Sequence, residues 1–177
     1  MRRIDRKWKR PRVPYDAARI KAEDDILKSY GLRRKREIWR AEAIIRGLRE
    51  RARKLIAEKD REKEKILLGK LAKMGLLKEG SVLDNVLALK TTDILNRRLE
   101  TIIFNKGLVQ KPLQARQIIT HGHVYVAGVR TYYPSYLVSP EEEAAIEIRY
   151  PPKQAQQAAA AKMAEENAKP EAAEVTE

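Results

Sequence analysis

TDILNRRLETIIFNKGLVQKPLQARQIITHGHVYVAGVRTYYPSY, residues 92–136, reads as a small module on its own. Thr92 and Asp93 place a hydroxyl and an acid at a helix start, where backbone N–H groups lack partners. Leu95, Leu99, Ile102 and Ile103 then recur at helical spacing, and Asn105-Lys106-Gly107 supplies a basic last turn and a stop. Arg97 and Arg98 fall outside that apolar stripe. A second helix opens at Pro112, a position that needs no N–H, and runs to His121-Gly122. Its Leu113, Ala115, Ile118 and Ile119 are placed to pack on the first helix, leaving Lys111, Gln114, Arg116 and Gln117 at least partly outside. After Gly122 the period drops to two. Val124 and Val126 point one way, His123 and Tyr125 the other. Ala127-Gly128 turns the chain into Val129-Arg130-Thr131; a type I′ turn would put Ala127 at positive φ, which leaves a type II or longer turn open.

The pattern is two helices layered on a small sheet. Between Ile94 and Ser135 stand Arg97, Arg98, Lys106, Lys111, Arg116 and Arg130 against one acid, Glu100. If the helix arginines share a face with His121, His123 and Tyr125, they form a phosphate-binding surface edged by rings that can stack on bases. On composition alone, a solvated basic face on an ordinary α+β domain stands beside that reading.

Outward from this stretch, charge is uneven. The net charge is +13, and residues 1–80 hold 27 Lys/Arg against 13 Asp/Glu, residues 81–150 hold 8 against 7, and the remainder 3 against 5. Such a field favours polyanions, either nucleic acid or an acidic membrane surface. No apolar run reaches transmembrane length and no secretory segment is evident, so no membrane partner is expected and a cytoplasmic location is the default. Pro11, Pro14 and Asp5 argue against a mitochondrial presequence in the Arg-rich start. Cysteine is absent, which excludes disulfides, thiol chemistry and cysteine-bound zinc.

Residues 1–14 carry seven basic side chains and two prolines, too little apolar area to fold alone. They read as an arm laid along phosphates by Arg2, Arg3, Arg6 and Lys7, with Trp8 able to stack; a solubilising tail is the alternative. Asp16 to Tyr30 reads as a short helix stopped by Gly31. Its acids Glu23, Asp24 and Asp25 fan around the axis, so they suit nearby arginines better than one metal ion. Arg33 to Lys59 is the longest helix, with Ile38, Ala41, Ile45, Leu48, Ala52 and Leu55 as its seam. Arg33, Arg34, Lys35, Arg36 and Arg40 crowd its start. A charged connector follows, then an apolar helix over Ile66 to Leu77, and Val82, Leu83, Val86, Leu87 and Leu89 carry a core towards the module. Leu137-Val138 and Ala144 to Tyr150 read as strands completing the sheet, and the Ala/Glu-rich segment from Gln154 as a disordered or fraying tail.

Two blocks of residues carry a family likeness. Asp93 to Glu100, the run Gln114-Ala115-Arg116-Gln117-Ile118-Ile119-Thr120-His121-Gly122-His123-Val124, and Tyr133-Pro134-Ser135-Tyr136 closely resemble the RNA-binding domain of the fourth-numbered protein of the small ribosomal subunit. Arg33 to Arg40 resembles that family's archaeal and eukaryotic branch, and Val126-Ala127-Gly128 departs from the bacterial pattern of Asn before the Gly, which favours an archaeal member. The resemblance spans roughly residues 12–150. It implies a structural rRNA-binding protein of the small subunit that organises a multi-helix junction in the 5′ region during assembly. It also implies a place near the messenger entry channel, relevance to translational accuracy, and neighbouring ribosomal proteins, the fifth-numbered one above all. On the matching positions it implies rRNA contacts for Arg97, Arg98, Arg116, Gln117, His121, His123 and Tyr136, to which the charge pattern adds Lys111 and Arg130. Gly107, Ala115, Gly122 and Gly128 are expected to be structural.

The expected fold class is therefore α+β: a mostly helical basic N-terminal region beside a small helix-helix-sheet RNA-binding module, with a disordered C-terminal tail. The expected divisions are an arm at 1–14, a helical rRNA-binding region at 15–91, the module with its C-terminal strands at 92–150, and an acidic tail at 151–177. No cofactor, no metal, no small-molecule substrate and no catalysis are expected. Ser29, Ser81, Ser135 and Ser139 show no His/Asp partner by position, no glycine-rich phosphate loop is present, and His121 and His123 suit RNA contact or the turn between them. Asp84 and Asp93 are candidate catalytic carboxylates of the kind found in RNA pseudouridine synthases, which use a similar small domain. Those enzymes also need a much larger catalytic domain, for which this chain leaves no room. A non-ribosomal RNA-binding regulator, or a small RNA-modifying factor, using the same domain is the alternative.

Overall fold

The computed structural model describes residues 8–78 and 80–149. The first half of the expected arm, residues 1–7 with Arg2, Arg3, Arg6 and Lys7, as well as Tyr150 and the 151–177 tail, lies outside the described residues.

Helix α1, Ala17–Tyr30, begins where the Asp16 carboxylate accepts from the N–H groups of Ala18 and Arg19, and stops at Gly31 with φ 63°. Helix α2, Lys35–Glu58, buries the expected seam of Ile38, Ala41, Ile45, Leu48 and Ala52. Asp60 caps α3, Arg61–Lys73, and α4 spans Leu83–Ala88. Leu48, Ala52, Leu67, Leu71, Leu83, Val86 and Leu89 join these three helices in one core. A second core sits at the other end of α2, where Ile38, Ala41 and Ile45 meet Leu32, Ile94 and Leu95. Removing such side chains from water contributes roughly 1.5–3 kcal/mol each.

The single helix expected from Thr92 to Asn105 is two. Helix α5, Thr91–Asn96, packs with the N-terminal helices; α6, Leu99–Asn105, belongs to the module. Between them the backbone at Arg98 is extended, and the segment pairs with residues far along the chain. Leu99 N–H donates to the Tyr136 carbonyl at 2.8 Å, and Val138 N–H donates to the Arg97 carbonyl at 3.0 Å. The packing thus changes sides at Arg97, past the Thr92 boundary expected from sequence.

Helix α7, Pro112–Thr120, lies on α6, and both rest on a three-stranded antiparallel sheet of β1 (Val124–Val126), β2 (Val129–Thr131) and β3 (Ile146–Ile148), ordered β2-β1-β3. Leu99, Ile103, Ala115, Ile119, Val124 and Val138 form the dry centre of this third core. The β1–β2 turn has Ala127 at φ 48° and Gly128 at φ 79°, with Val126 opposite Val129, so the hairpin is the two-residue type I′ turn and not a type II or longer one. Leu137 makes only an isolated bridge to Arg98, and Pro140–Ala144 is a short helix, α8, capped by the Ser139 hydroxyl; the strand expected from Ala144 begins at Ile146.

Candidate nucleic-acid interface

Three of the module's arginines, Arg97, Arg98 and Arg116, are turned onto acids and so do not make the expected outward arginine face. Arg98 is buried; its Nη2 lies 2.6 Å from Glu37 Oε2 and 3.4 Å from Glu100 Oε2. Arg116 reaches the same two carboxylates, at 3.0 Å to Glu37 Oε1 and 3.4 Å to Glu100 Oε2. Two basic and two acidic side chains from α2, α6, α7 and the α5–α6 break therefore share one junction, with Arg98 and Glu100 buried and Glu37 and Arg116 partly exposed. Such a group stays inside only if it is paired. Burial pushes Glu100 up to about 7 against the pull of Arg116 and Arg98. Burial also pushes Glu37 up, but the Arg116 hydrogen bond and the charges of Arg98 and Arg116 outweigh it and hold this carboxyl below its ordinary value.

Other expected contacts are similarly occupied. Arg97 lies 2.8 Å from Glu143 and donates to the Val138 carbonyl at 2.8 Å. Lys35 lies 2.7 Å from Asp24, and Arg19 lies 2.6 Å from Glu23, so basic partners do take up the acids of α1. Tyr136 donates its hydroxyl to Glu142 at 2.8 Å, which raises its own ionisation above the usual phenol range. Arg130 donates from Nε to the Gly122 carbonyl at 2.6 Å and stacks over Tyr132 at 5.0 Å, a cation set on the end of α7 where the helix carbonyls run out. Gly122 is required there twice over. Its φ is 72°, and a Cβ would stand 2.5 Å from the Tyr132 ring and 2.6 Å from Arg130 Nε. Ala115 is fully buried in the module core, while Gly107 and Gly128 adopt φ 68° and 79° at the ends of α6 and β1.

What remains outside is a seam between α2 and α7. Gly31, at the corner between α1 and α2, lies against the start of α7, where a Cβ on it would stand 2.6 Å from Pro112 Cβ; further along, Glu37 of α2 grips Arg116 of α7. Arg33, Arg34, Arg36 and Arg40 are exposed on the segment joined to α7 by these two contacts, and Lys111, Gln114, Gln117 and His121 are exposed on α7 and its flanks. Gln114, Gln117 and His121 fall at helical spacing on one face. The rings of His121 and His123 stack at 6.3 Å with 13° between their planes. The sheet extends the surface with residues that the sequence did not single out: Arg149 lies 4.6 Å over the Tyr125 ring, and Tyr132 sits beneath Arg130. Their signal was the β-register, Tyr125 opposite both Arg130 and Glu147, which needs the strand order to be known. Among the described residues, no His/Cys/Asp/Glu group is arranged to hold a metal ion, and no helix is long and apolar enough to cross a membrane.

A surface of exposed guanidinium groups, amides and stacked imidazoles can neutralise phosphates and stack on bases. Comparison with known proteins points the same way. Residues 97–143 match the family described as the S4 domain. The chain is 49% identical over 142 residues to the small ribosomal subunit protein uS4 of Saccharolobus solfataricus, covering 78% of each. It is 46% identical over 154 residues to the protein of the same name from Metallosphaera sedula, covering 85% of each.

Proposed function

The chain belongs to the uS4 family of small ribosomal subunit proteins, and on that footing we propose that it is a structural constituent of the small subunit that binds its rRNA. The reading is that of a binder in the cytoplasmic ribosome, not of an enzyme. The observation that carries it is the joint of the α1–α2 corner and α2 with α7, where Gly31 meets Pro112 and Glu37 meets Arg116, with Arg33, Arg34, Arg36 and Arg40 exposed on one side of the joint and Lys111, Gln117 and His121 on the other. Two basic elements held at a fixed angle suit two converging RNA helices better than one straight duplex, which is the geometry of a junction. Exposed arginines neutralise phosphates and fix position, while His121, His123 and the Tyr125–Arg149 sheet face meet bases or sugars at the edge. Arg97, Arg98 and Arg116 hold the frame from inside.

Within this reading the RNA is a multi-helix junction in the 5′ region, bound early and organising assembly. The surroundings are the messenger entry channel, with consequences for translational accuracy, and the fifth-numbered small-subunit protein as a neighbour. The test is binding of the full chain to a junction-containing small-subunit rRNA fragment and to a simple duplex of equal length at physiological salt. The expected result is a clear preference for the junction; equal affinity for both sinks the proposal.

A further inference from the structure

The described part of the N-terminal arm folds back onto α1 and α2. Arg19 donates to the carbonyls of Val13 and Pro14, each at 2.9 Å. Trp8 packs on Trp39 with ring centroids 5.6 Å apart and 39° between planes, and the Arg36 guanidinium lies 5.4 Å from the Trp8 ring. The Trp39 indole is fixed from behind, since its Nε1 donates to buried Glu23 at 3.0 Å and Arg19 holds the same oxygen. A side chain held in this way loses little freedom when something binds to it.

Beside the tryptophan pair opens a cleft of about 560 Å³ lined by Arg10, Arg34, Lys35, Arg36 and Trp39. No acid lines it. The nearby carboxylates Glu23 and Asp24 are turned to Arg19 and Lys35. Arginine groups converging beside a rigid indole match the two halves of a nucleotide: an anionic phosphate and a flat base with a polarisable face. An acidic peptide or free phosphate would use the cations and leave the aromatic wall without a role. A base inside a duplex is already stacked on both sides and cannot reach that wall.

We propose that this cleft takes one unpaired nucleotide of the bound RNA, its base stacked on the Trp39 side of the tryptophan pair and its phosphate held by Arg10, Arg34 and Arg36. The inference rests on the RNA-binding reading above and adds a demand for one splayed base at a defined place. The folded-back arm makes one wall of the slot, so the arm's first role is to shape a site.

The sequence has two tryptophans, and both belong to this cluster, so tryptophan emission of the full chain reports on nothing else. A six-nucleotide oligo(rA) is titrated against a six-unit abasic ribose-phosphate chain of equal charge. The base-bearing chain quenches the emission by more than about half and binds about tenfold more tightly, the scale of one base–aromatic stack. Arg34→Ala weakens both ligands alike, and Trp39→Phe, which keeps a stacking face, retains most of the preference. Equal affinity and equal quenching by the two ligands overturn the proposal and leave the tryptophan pair as a clamp for the arm. A protein that prefers junction over duplex but does not tell base from abasic chain refutes the cleft alone. One that tells base from abasic chain but shows no preference for the junction refutes the ribosomal reading alone.

Discussion

Glu37, Arg98, Glu100 and Arg116 are the residues on which the relation between the N-terminal helices and the module depends, and the two acids respond to pH in opposite senses. Glu100 binds its proton more tightly in the folded chain, so its contribution to stability is fully present below the unfolded value of 4.5 and is lost as pH rises to about 7. Glu37, held low, contributes fully above its unfolded value and loses that contribution as pH falls from there through its lowered folded value. Between pH 4.5 and 7 Glu100 therefore makes the larger contribution to the slope, and Glu42, whose carboxyl burial also raises, adds to it in the same sense. Urea unfolding across that range is expected to show stability falling with pH in the wild type and a flattened profile in Glu100→Gln. Glu37→Gln leaves buried Arg98 with one distant carboxylate and should cost about 3 kcal/mol at neutral pH. Ala127 is a second residue-scale case. An L-residue in the left-handed region costs roughly 1–2 kcal/mol, and Asn tolerates that conformation better than Ala. Ala127→Asn is expected to raise the calorimetric Tm by about 2–4 °C, and an unchanged or lower Tm would show that the turn is not the strained point. The arginine-rich character of the module was legible in its sequence, but the destinations of Arg98 and Arg116 were not. Their partner Glu37 lies 61 and 79 positions away, and local spacing does not report which cation a distant acid will claim.

At the scale of elements, the starts and stops of helices were readable because they are local chemistry. Asp16 capping α1, Gly31 ending it, Pro112 opening α7 and the apolar seam of α2 all act within a few residues of themselves. The break between α5 and α6 was not readable. Helical spacing continues straight through Arg97 and Arg98, and only the pairing of that segment with residues 136–138 makes an extended backbone the better solution there. The strand expected from Ala144 starts two residues later, at Ile146, for the opposite reason: Ser139 and Glu142 form a reciprocal cap that starts α8, which runs to Ala144. Two glycine substitutions separate element propensity from joint geometry. At Gly69, inside α3, a Cβ meets nothing within 4 Å, so Gly69→Ala should stabilise by about 0.5–1 kcal/mol through helix propensity. At Gly122 the same methyl meets Tyr132 and Arg130 in a left-handed backbone, so Gly122→Ala should destabilise by about 2 kcal/mol or more. Denaturant midpoints moving in the same direction for both variants would contradict this account of the α7–β1 joint.

At the scale of the molecule, the distinction is between cations that stabilise the protein and cations that meet RNA. The N-terminal region carries most of the positive charge, and in the matched domain Arg97, Arg98 and Arg116 are paired with acids while Lys106, Lys111 and Arg130 are exposed. Counterion release gives this distinction a measurable form, because each phosphate neutralised by an exposed cation steepens the fall of log K with log salt by roughly 0.7–0.9. Arg33→Ala and Arg40→Ala remove exposed charges from the seam. Each should weaken binding to the junction fragment, make the salt slope shallower by about one, and leave the urea midpoint nearly unchanged. Arg98→Ala removes a buried charge that holds Glu37 and Glu100. It should lower the urea midpoint sharply while leaving the salt slope of the folded fraction as in the wild type, because Arg98 neutralises carboxylates, not phosphates. If Arg98→Ala instead flattens the salt slope as Arg33→Ala does, the buried network opens when RNA binds, and the frame and the interface are then one set of residues.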